Sequence, residues 1–261
     1  MLRPFLRALA LTRPTELSLR VEACALCGFK VQVRLRRDEV AVRCAHCGAS
    51  AITQSLVDVL LQATDSLADL DVYELSAGGP LVRWLRPRVR SLTTSEYFPD
   101  VPRGSERAGI TCQDVQRLTY PDESFDLCTS TEVFEHVEDD GAGFREILRV
   151  LRPGGLHAFT VPLNLASTTL ERTTICGGER VNVLPAEYHA DRYRGQRVFC
   201  FRTYGADLAA RLADVGYVDV MLRQPRQIMF GYARTVVCGR KPPQPLRQRS
   251  PPTAAAALRT P

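Results

Sequence analysis

The ten residues Asp71-Val-Tyr-Glu-Leu-Ser-Ala-Gly-Gly-Pro80 constrain this chain more than any other stretch. Val72, Tyr73 and Leu75 read as a short buried strand, and Ser76, Ala77, Gly78 and Gly79 follow with almost no side chain. Pro80 suits the first position of a helix, where its missing N–H costs nothing, and Leu81–Leu85 continue that helix. Strand, bare turn and helix in this order leave the turn backbone open to close approach by a ligand. One such turn is a weak signal, and the order of the downstream elements gives it weight. Strand signals at Val89–Glu96, Ile110–Val115, Phe125–Ser130, Leu156–Val161, Val218–Leu222 and Arg234–Gly239 are interleaved with helical signals at Leu81–Leu85, Gly143–Leu151 and Gly205–Val215. Such alternation predicts an α/β fold, a doubly wound and mostly parallel sheet of seven strands with an antiparallel last strand.

A smaller unit, residues 22–50, precedes this one. Its frame is Cys24-Ala-Leu-Cys27-Gly and Cys44-Ala-His-Cys47-Gly, with sixteen residues between Cys27 and Cys44. Two cysteines two residues apart can place both sulfurs on one ion, and Gly28 and Gly48 permit the turn each knuckle needs. Val31, Val33 and Leu35, then Val40 and Val42, alternate with polar residues, as in a hairpin turning near Arg37-Asp38-Glu39. The expectation is a zinc-ribbon unit whose Cys24, Cys27, Cys44 and Cys47 close a structural zinc site. The remaining cysteines, Cys112, Cys128, Cys176, Cys200 and Cys238, have no ligand spacing and read as core or incidental. Ile52, Leu56, Val59 and Leu60 fall at helical spacing and open the larger domain, taken as residues 51–240. Residues 241–261, rich in Pro, Ala and Arg, read as a disordered tail.

The composition excludes several classes. With 45% hydrophobic and 24% charged residues the chain is an ordinary globular one. Lys30 and Lys241 are its only lysines, and a basic tail supplies much of the net charge of +5, so the charge does not require a nucleic-acid partner. No run approaches the ~20 apolar residues of a membrane span. The basic stretch Met1–Arg13 is too short and interrupted in its apolar part for a secretory signal. Paired cysteines that read as metal ligands favour a cytoplasmic protein.

In doubly wound sheets ligands sit beyond the carboxyl ends of the strands. The first strand ends at Glu74-Leu75, the second at Ser95-Glu96, the third at Asp114-Val115 and the fourth at Ser130-Thr131-Glu132. Bare backbone at the first tip and a carboxylate at each of the next three suit a nucleoside, since carboxylates accept from ribose hydroxyls and from an adenine amine. The full G-x-G-x-x-G of dinucleotide-binding folds is absent, with Ser76, Gly78 and Leu81 in its three places.

Here Glu74-Leu-Ser-Ala-Gly-Gly79, Phe125-Asp-Leu127, Glu132-Val-Phe-Glu-His-Val137 and Leu151-Arg-Pro-Gly-Gly155 together resemble the ordered motifs of class I S-adenosylmethionine-dependent methyltransferases, of the type 11 kind, over about Asp71–Gly239. The resemblance implies a Rossmann-like fold and S-adenosylmethionine as cofactor. By position it implies that Glu74, Ser76, Ala77 and Gly78 hold the methionine end, Glu96 the ribose, Asp114 and Val115 the adenine, and that Thr131 and Glu132 flank the methyl group. The family usually has Gly where Ser76 stands and often Gly where Pro80 stands.

If a helix starts near Glu132, then Glu132, Glu135 and His136 share a face, a set that also fits a divalent cation such as magnesium. The resemblance extends equally to methyltransferases without a metal. His136 is the candidate general base, and His189 lies in the insertion Asn164–Phe201 where substrate contacts are expected. The sequence thus reads as a methyltransferase acting on a small molecule, with RNA as the second acceptor class and no membrane partner. A non-catalytic cofactor-binding or scaffold protein with a structural zinc is the competing reading.

Overall fold

The computed structural model describes residues 16–37, 39–190 and 197–244. The basic N-terminal stretch and most of the expected tail lie outside these residues.

Two hairpins in succession build the N-terminal unit. β1 (Ser18–Arg20), β2 (Gln32–Arg34) and β3 (Val42–Cys44) form an antiparallel sheet of order β1-β2-β3. Ser50 caps α1 (Ala51–Ala63) by accepting the Thr53 N–H, which satisfies one of the orphan donors of a helix start. Ala51 to Leu60 are all buried, polar residues included. The reason is packing on both sides, with the cysteine knuckles and Leu26 on one flank and the large sheet on the other. The buried polar groups find partners: Gln54 bonds Gln32 and the Ala49 carbonyl, and Asp58 accepts the Arg226 N–H and faces its guanidinium at 3.2 Å.

Next come β4 (Asp71–Glu74), α2 (Pro80–Leu85), β5 (Ser91–Thr94), the small hairpin β6 (Glu106–Arg107) and β7 (Ile110–Thr111), β8 (Phe125–Thr131), α3 (Asp140–Val150) and β9 (Leu151–Thr160). The insertion carries β10 (Leu163–Asn164), β11 (Leu170–Glu171), β12 (Thr173–Cys176), β13 (Glu179–Asn182), β14 (Tyr188–Ala190) and β15 (Arg197–Phe199). The chain closes with β16 (Arg202–Gly205), α4 (Leu208–Val215), β17 (Val218–Arg223) and β18 (Val236–Arg240). The central sheet has the order β17-β18-β9-β8-β4-β5. β9, β8, β4 and β5 run parallel, β18 is antiparallel to β9, and β17 is antiparallel to β18. The expected doubly wound sheet is therefore present.

The strand count differs from the expected seven: six strands form this sheet among the described residues. Ile110–Val115 yields only the two-residue β7, paired with β6, and meets the sheet at a single bridge, Glu96 to Cys112. Asp114 ends it, because its carboxylate turns back on the Gln116 N–H at 2.9 Å, a local bond that competes with the ladder.

Strand periodicity sorts the core onto two faces. Val72 and Leu127 pack under α1 and α2 with Leu56, Leu60, Trp84 and Leu85. Their neighbours Tyr73 and Cys128 face α3 and α4 with Phe144, Ile147, Leu208 and Leu212. The Arg-Pro-Gly-Gly motif has a structural role at the start of β9. Its register against β8 jumps between Phe125 and Leu127, and Gly154 takes φ +79°. A Cβ on Gly155 would lie 2.8 Å from the Arg152 carbonyl, so this bulge requires glycine. No helix among the described residues is long and apolar enough to cross a membrane.

His157 is fully buried on β9. The Tyr217 hydroxyl donates to the Phe144 carbonyl and so accepts from His157 Nδ1 at 3.2 Å, which places a proton on Nδ1. Burial pushes its pKa down from 6.5 to about 3. Between these values the unfolded chain binds a proton that the folded one refuses, so this residue's contribution to stability falls as pH drops below 6.5. Wild type should lose about 2 kcal/mol between pH 7 and pH 5 that His157→Phe does not lose. Urea unfolding of both proteins at the two pH values checks it, and identical losses would contradict it.

Candidate active site

The chain order β4, β5, then β8 on the opposite flank of β4 creates a reversal between β4 and β8. A crevice opens outside the carboxyl ends of strands at such a reversal. Four sets of side chains or bare backbone reach it.

Glu74 ends β4, is 1% exposed, and lies opposite Thr129 of β8. It accepts the Thr129 hydroxyl and is held by Ser76 as well. Burial pushes its pKa from 4.5 to about 8, against the opposing effect of those two hydroxyls. Ser76 thus has a local role where the resembled family usually has Gly: its hydroxyl supports this buried carboxylate. Ser76 to Pro80 form a half-exposed turn. Gly79, at φ +102°, sends the chain into α2, where Pro80 takes the first helical position as expected.

Glu96 follows β5 and accepts the Ala77 N–H through Oε1 at 3.0 Å, tying the second strand tip to the turn. A backbone ladder one residue wide fixes it: the Glu96 N–H donates to Thr111, and Gln113 donates to the Glu96 carbonyl. Tyr73 and Ser95 lock β4 to β5 through their hydroxyls, 2.7 Å apart. Asp114 is half-buried, and Oδ1 also accepts from Gln116 Nε2 at 3.1 Å, while Val115 is buried against the α3 side of the core.

The fourth tip departs from the expected helix. Glu132 has φ +53°, and only a 3-10 turn, Phe134–His136, follows it. Glu132, Glu135 and His136 consequently do not form one helical face. Glu132 pairs with Arg234 at 2.9 Å, and Arg234 also reaches Glu39 of the N-terminal unit at 2.6 Å. Burial and the neighbouring Glu135 push the Glu132 pKa up to about 7, against Arg234. Arg234 escaped sequence reading because it lies 102 residues from Glu132, at the foot of the last strand, without a motif around it.

His136 leaves this tip for another cluster. It meets His189 in a T-shaped contact with ring centroids 5.0 Å apart, and Cys200 Sγ lies 3.8 Å from its Nδ1. Cys200, expected to be incidental, is buried between two imidazoles. Burial alone would raise its thiol, but His136 and His189 reverse the sign and lower it. The same thiol, followed by Glu135, raises His189 to about 10. Cys200 has no sequence signal, since only the fold brings it to residues 11 and 64 positions away.

In the N-terminal unit all four expected ligands converge. The sulfurs of Cys24 and Cys47 are 3.6 Å apart, those of Cys27 and Cys44 3.7 Å apart, and all four lie within 4.8 Å of one another. Four thiolates around one zinc stand about 3.8 Å apart, from Zn–S bonds of about 2.3 Å. The donor set and its spacing fit such an ion. Burial pushes the thiols of Cys24 and Cys47 up, the latter to about 11.

Residues 75–159, from the end of β4 through most of β9, match the methyltransferase domain family. The chain is 26% identical over 181 residues to a malonyl-[acyl-carrier protein] O-methyltransferase of Serratia marcescens, covering 66% of this chain and 68% of that one. It is 43% identical over 60 residues to a demethylmenaquinone methyltransferase of Mycobacterium sp. strain KMS, a match to 22% of this chain and 26% of that one. Among solved structures, an S-adenosylmethionine-dependent methyltransferase from Mesorhizobium loti aligns with 71% of this chain and 97% of its own, at 18% identity and a TM-score of 0.47. The match over residues 75–159 supports an S-adenosylmethionine-dependent methyltransferase, and the central sheet is of the Rossmann-like α/β type.

Proposed function

We propose that the protein transfers a methyl group from S-adenosylmethionine to a small-molecule acceptor held between the β8 tip and the insertion Asn164–Phe201. The observation that carries this is the joining of the small-residue turn to two carboxylates, Glu74 beneath it and Glu96 beside it. In this reading Glu74, Ser76, Ala77 and Gly78 hold the methionine end of the cofactor. Glu96 accepts from the ribose, Asp114 and the Val115 backbone meet the adenine, and Thr131 with Glu132 border the reacting methyl group. The cofactor supplies an activated methyl on sulfur. The residues align the acceptor with it, and alignment alone can supply a large share of the acceleration. His136 can take the acceptor's proton, since donating Nδ1–H to the Phe199 carbonyl at 2.8 Å leaves a lone pair on Nε2.

The relatives' names favour a small methylated group over RNA, since they name malonyl-[acyl-carrier protein] and demethylmenaquinone. The four cysteines hold a structural zinc, which fixes the ribbon against α1; by that reading residues 22–50 are a ribbon unit and 51–240 the catalytic domain.

Isothermal titration with S-adenosylmethionine and S-adenosylhomocysteine, followed by labelled-methyl transfer into small-molecule extracts, tests the proposal. Binding of both ligands with label appearing in a small product is the expected result. Absence of heat on titration overturns the pocket, and binding without transfer to any extract supports a scaffold instead.

A further inference from the structure

Four side chains converge beside the β8 tip that the cofactor pocket does not use. His136 comes from the 3-10 turn after β8, His189 from β14, and Cys200 follows β15. One ligand atom from each of these three lies within 4.8 Å of the others. Glu135, the fourth, is 1% exposed, and neither of its carboxylate oxygens has a hydrogen-bond partner. Its Oε1 lies 3.6 Å from His136 Nε2 and 3.6 Å from His189 Nδ1. A buried carboxylate without donors is costly unless a cation satisfies it.

The surroundings hold these groups in place. The Phe199 carbonyl fixes His136 through Nδ1 at 2.8 Å, and Glu187 lies 3.3 Å from His189 Nε2. Such partners on the outer nitrogen orient metal-binding imidazoles. Backbone bonds from Phe201 to Glu135 and from Cys200 to Glu187, both N–H to carbonyl, tie the three segments together. The Arg202 guanidinium binds the carbonyls of Phe134, Val137 and Glu138, bracing the same turn.

We propose that Glu135, His136, His189 and Cys200 bind one zinc ion that clips the β14–β15 hairpin of the insertion to the turn after β8. The donor set decides the metal. Two imidazoles and a thiolate suit zinc, whereas magnesium asks for near-octahedral oxygen ligands. Glu132, which a magnesium site built on the Glu-x-x-Glu-His pattern would need, is instead engaged by Arg234. Bonds of about 2.0–2.3 Å to a tetrahedral ion place ligand atoms roughly 3.3–3.8 Å apart, so the cluster closes by a small inward movement. Four protein ligands leave no open position, and the ion acts as a clip, so the proton transfer assigned above to His136 belongs to the metal-free form. The wall of the acceptor site is then set by metal occupancy.

Calorimetric zinc titration of the full chain, after dialysis against a chelator and alongside total metal analysis, reads this directly. Wild type should take up one equivalent more than His189→Ala, whose affinity at this site should fall at least ~100-fold. Glu187→Gln should weaken it about tenfold. Cobalt substitution should show a thiolate-to-cobalt band in wild type that is reduced in Cys200→Ser, beyond the contribution of the N-terminal cysteines. Magnesium should not compete. Should Cys200→Ser fail to fold, His189→Ala carries the comparison, because that side chain is half-exposed at the insertion surface. Equal zinc uptake by wild type and His189→Ala overturns the site. The readout is metal, so its failure leaves the methyl-transfer reading untouched.

Discussion

Cys24→Ser or Cys47→Ser should strip one zinc from the chain and destabilise it by more than about 4 kcal/mol, the range reached by loss of a metal site. The size is what an ion standing in place of a core would give. The unit from Ser18 to Ser50 has three strands of three residues each, far too little apolar surface to fold alone. In such units the free energy of metal binding is folding free energy. Cys24 and Cys44 also belong to the core that packs Leu26 and Ala49 against Leu56, Leu60 and Trp84. Releasing the knuckles would bare the flank of α1, a helix buried on all sides from Ala51 to Leu60. Arg83, which donates to the Cys47 carbonyl at 3.0 Å, would lose its partner. Metal analysis with thermal unfolding checks the prediction. A variant that loses zinc and keeps the wild-type melting temperature would contradict it.

Elements set by local rules are legible in the sequence alone. The strand at Val72, the turn through Gly79, Pro80 at the helix start and the two Cys-x-x-Cys knuckles each depend on residues close in sequence, and each is where the pattern placed it. The parallel sheet is legible for the same reason, since alternation of periods is local. The third strand is not, because Ile110–Val115 has strand composition but Asp114 prefers a turn with Gln116. The helix expected from Glu132 fails similarly: a left-handed residue there aims the chain into a 3-10 turn, which no periodicity announces. Contacts between distant segments are hidden altogether. Thr129 under Glu74, Arg234 between Glu132 and Glu39, and Cys200 between two histidines are products of tertiary placement, and none sits in a spaced motif.

Glu96→Ala should weaken S-adenosylmethionine binding roughly ten- to a hundredfold. In the proposed pocket this carboxylate accepts from the ribose, and hydrogen bonds to a charged acceptor contribute about 1.5–3 kcal/mol. The structure adds a second consequence. Oε1 already accepts the Ala77 N–H, so truncation also frees the turn proposed to hold the methionine end. Glu96→Gln separates the two effects. Its amide oxygen can still hold Ala77, and only the charge is lost, so its affinity should fall between wild type and Glu96→Ala. Asp114→Asn should cost much less, because Oδ1 is spent on the Gln116 N–H and an amide oxygen can replace it there. Dissociation constants for the three variants, with urea unfolding to confirm their folds, decide the matter. Wild-type affinity in a folded Glu96→Ala would move the ribose away from the tip of β5. An Asp114→Asn variant as weak as Glu96→Ala would mean that the third strand end, despite its turn, is the stronger anchor.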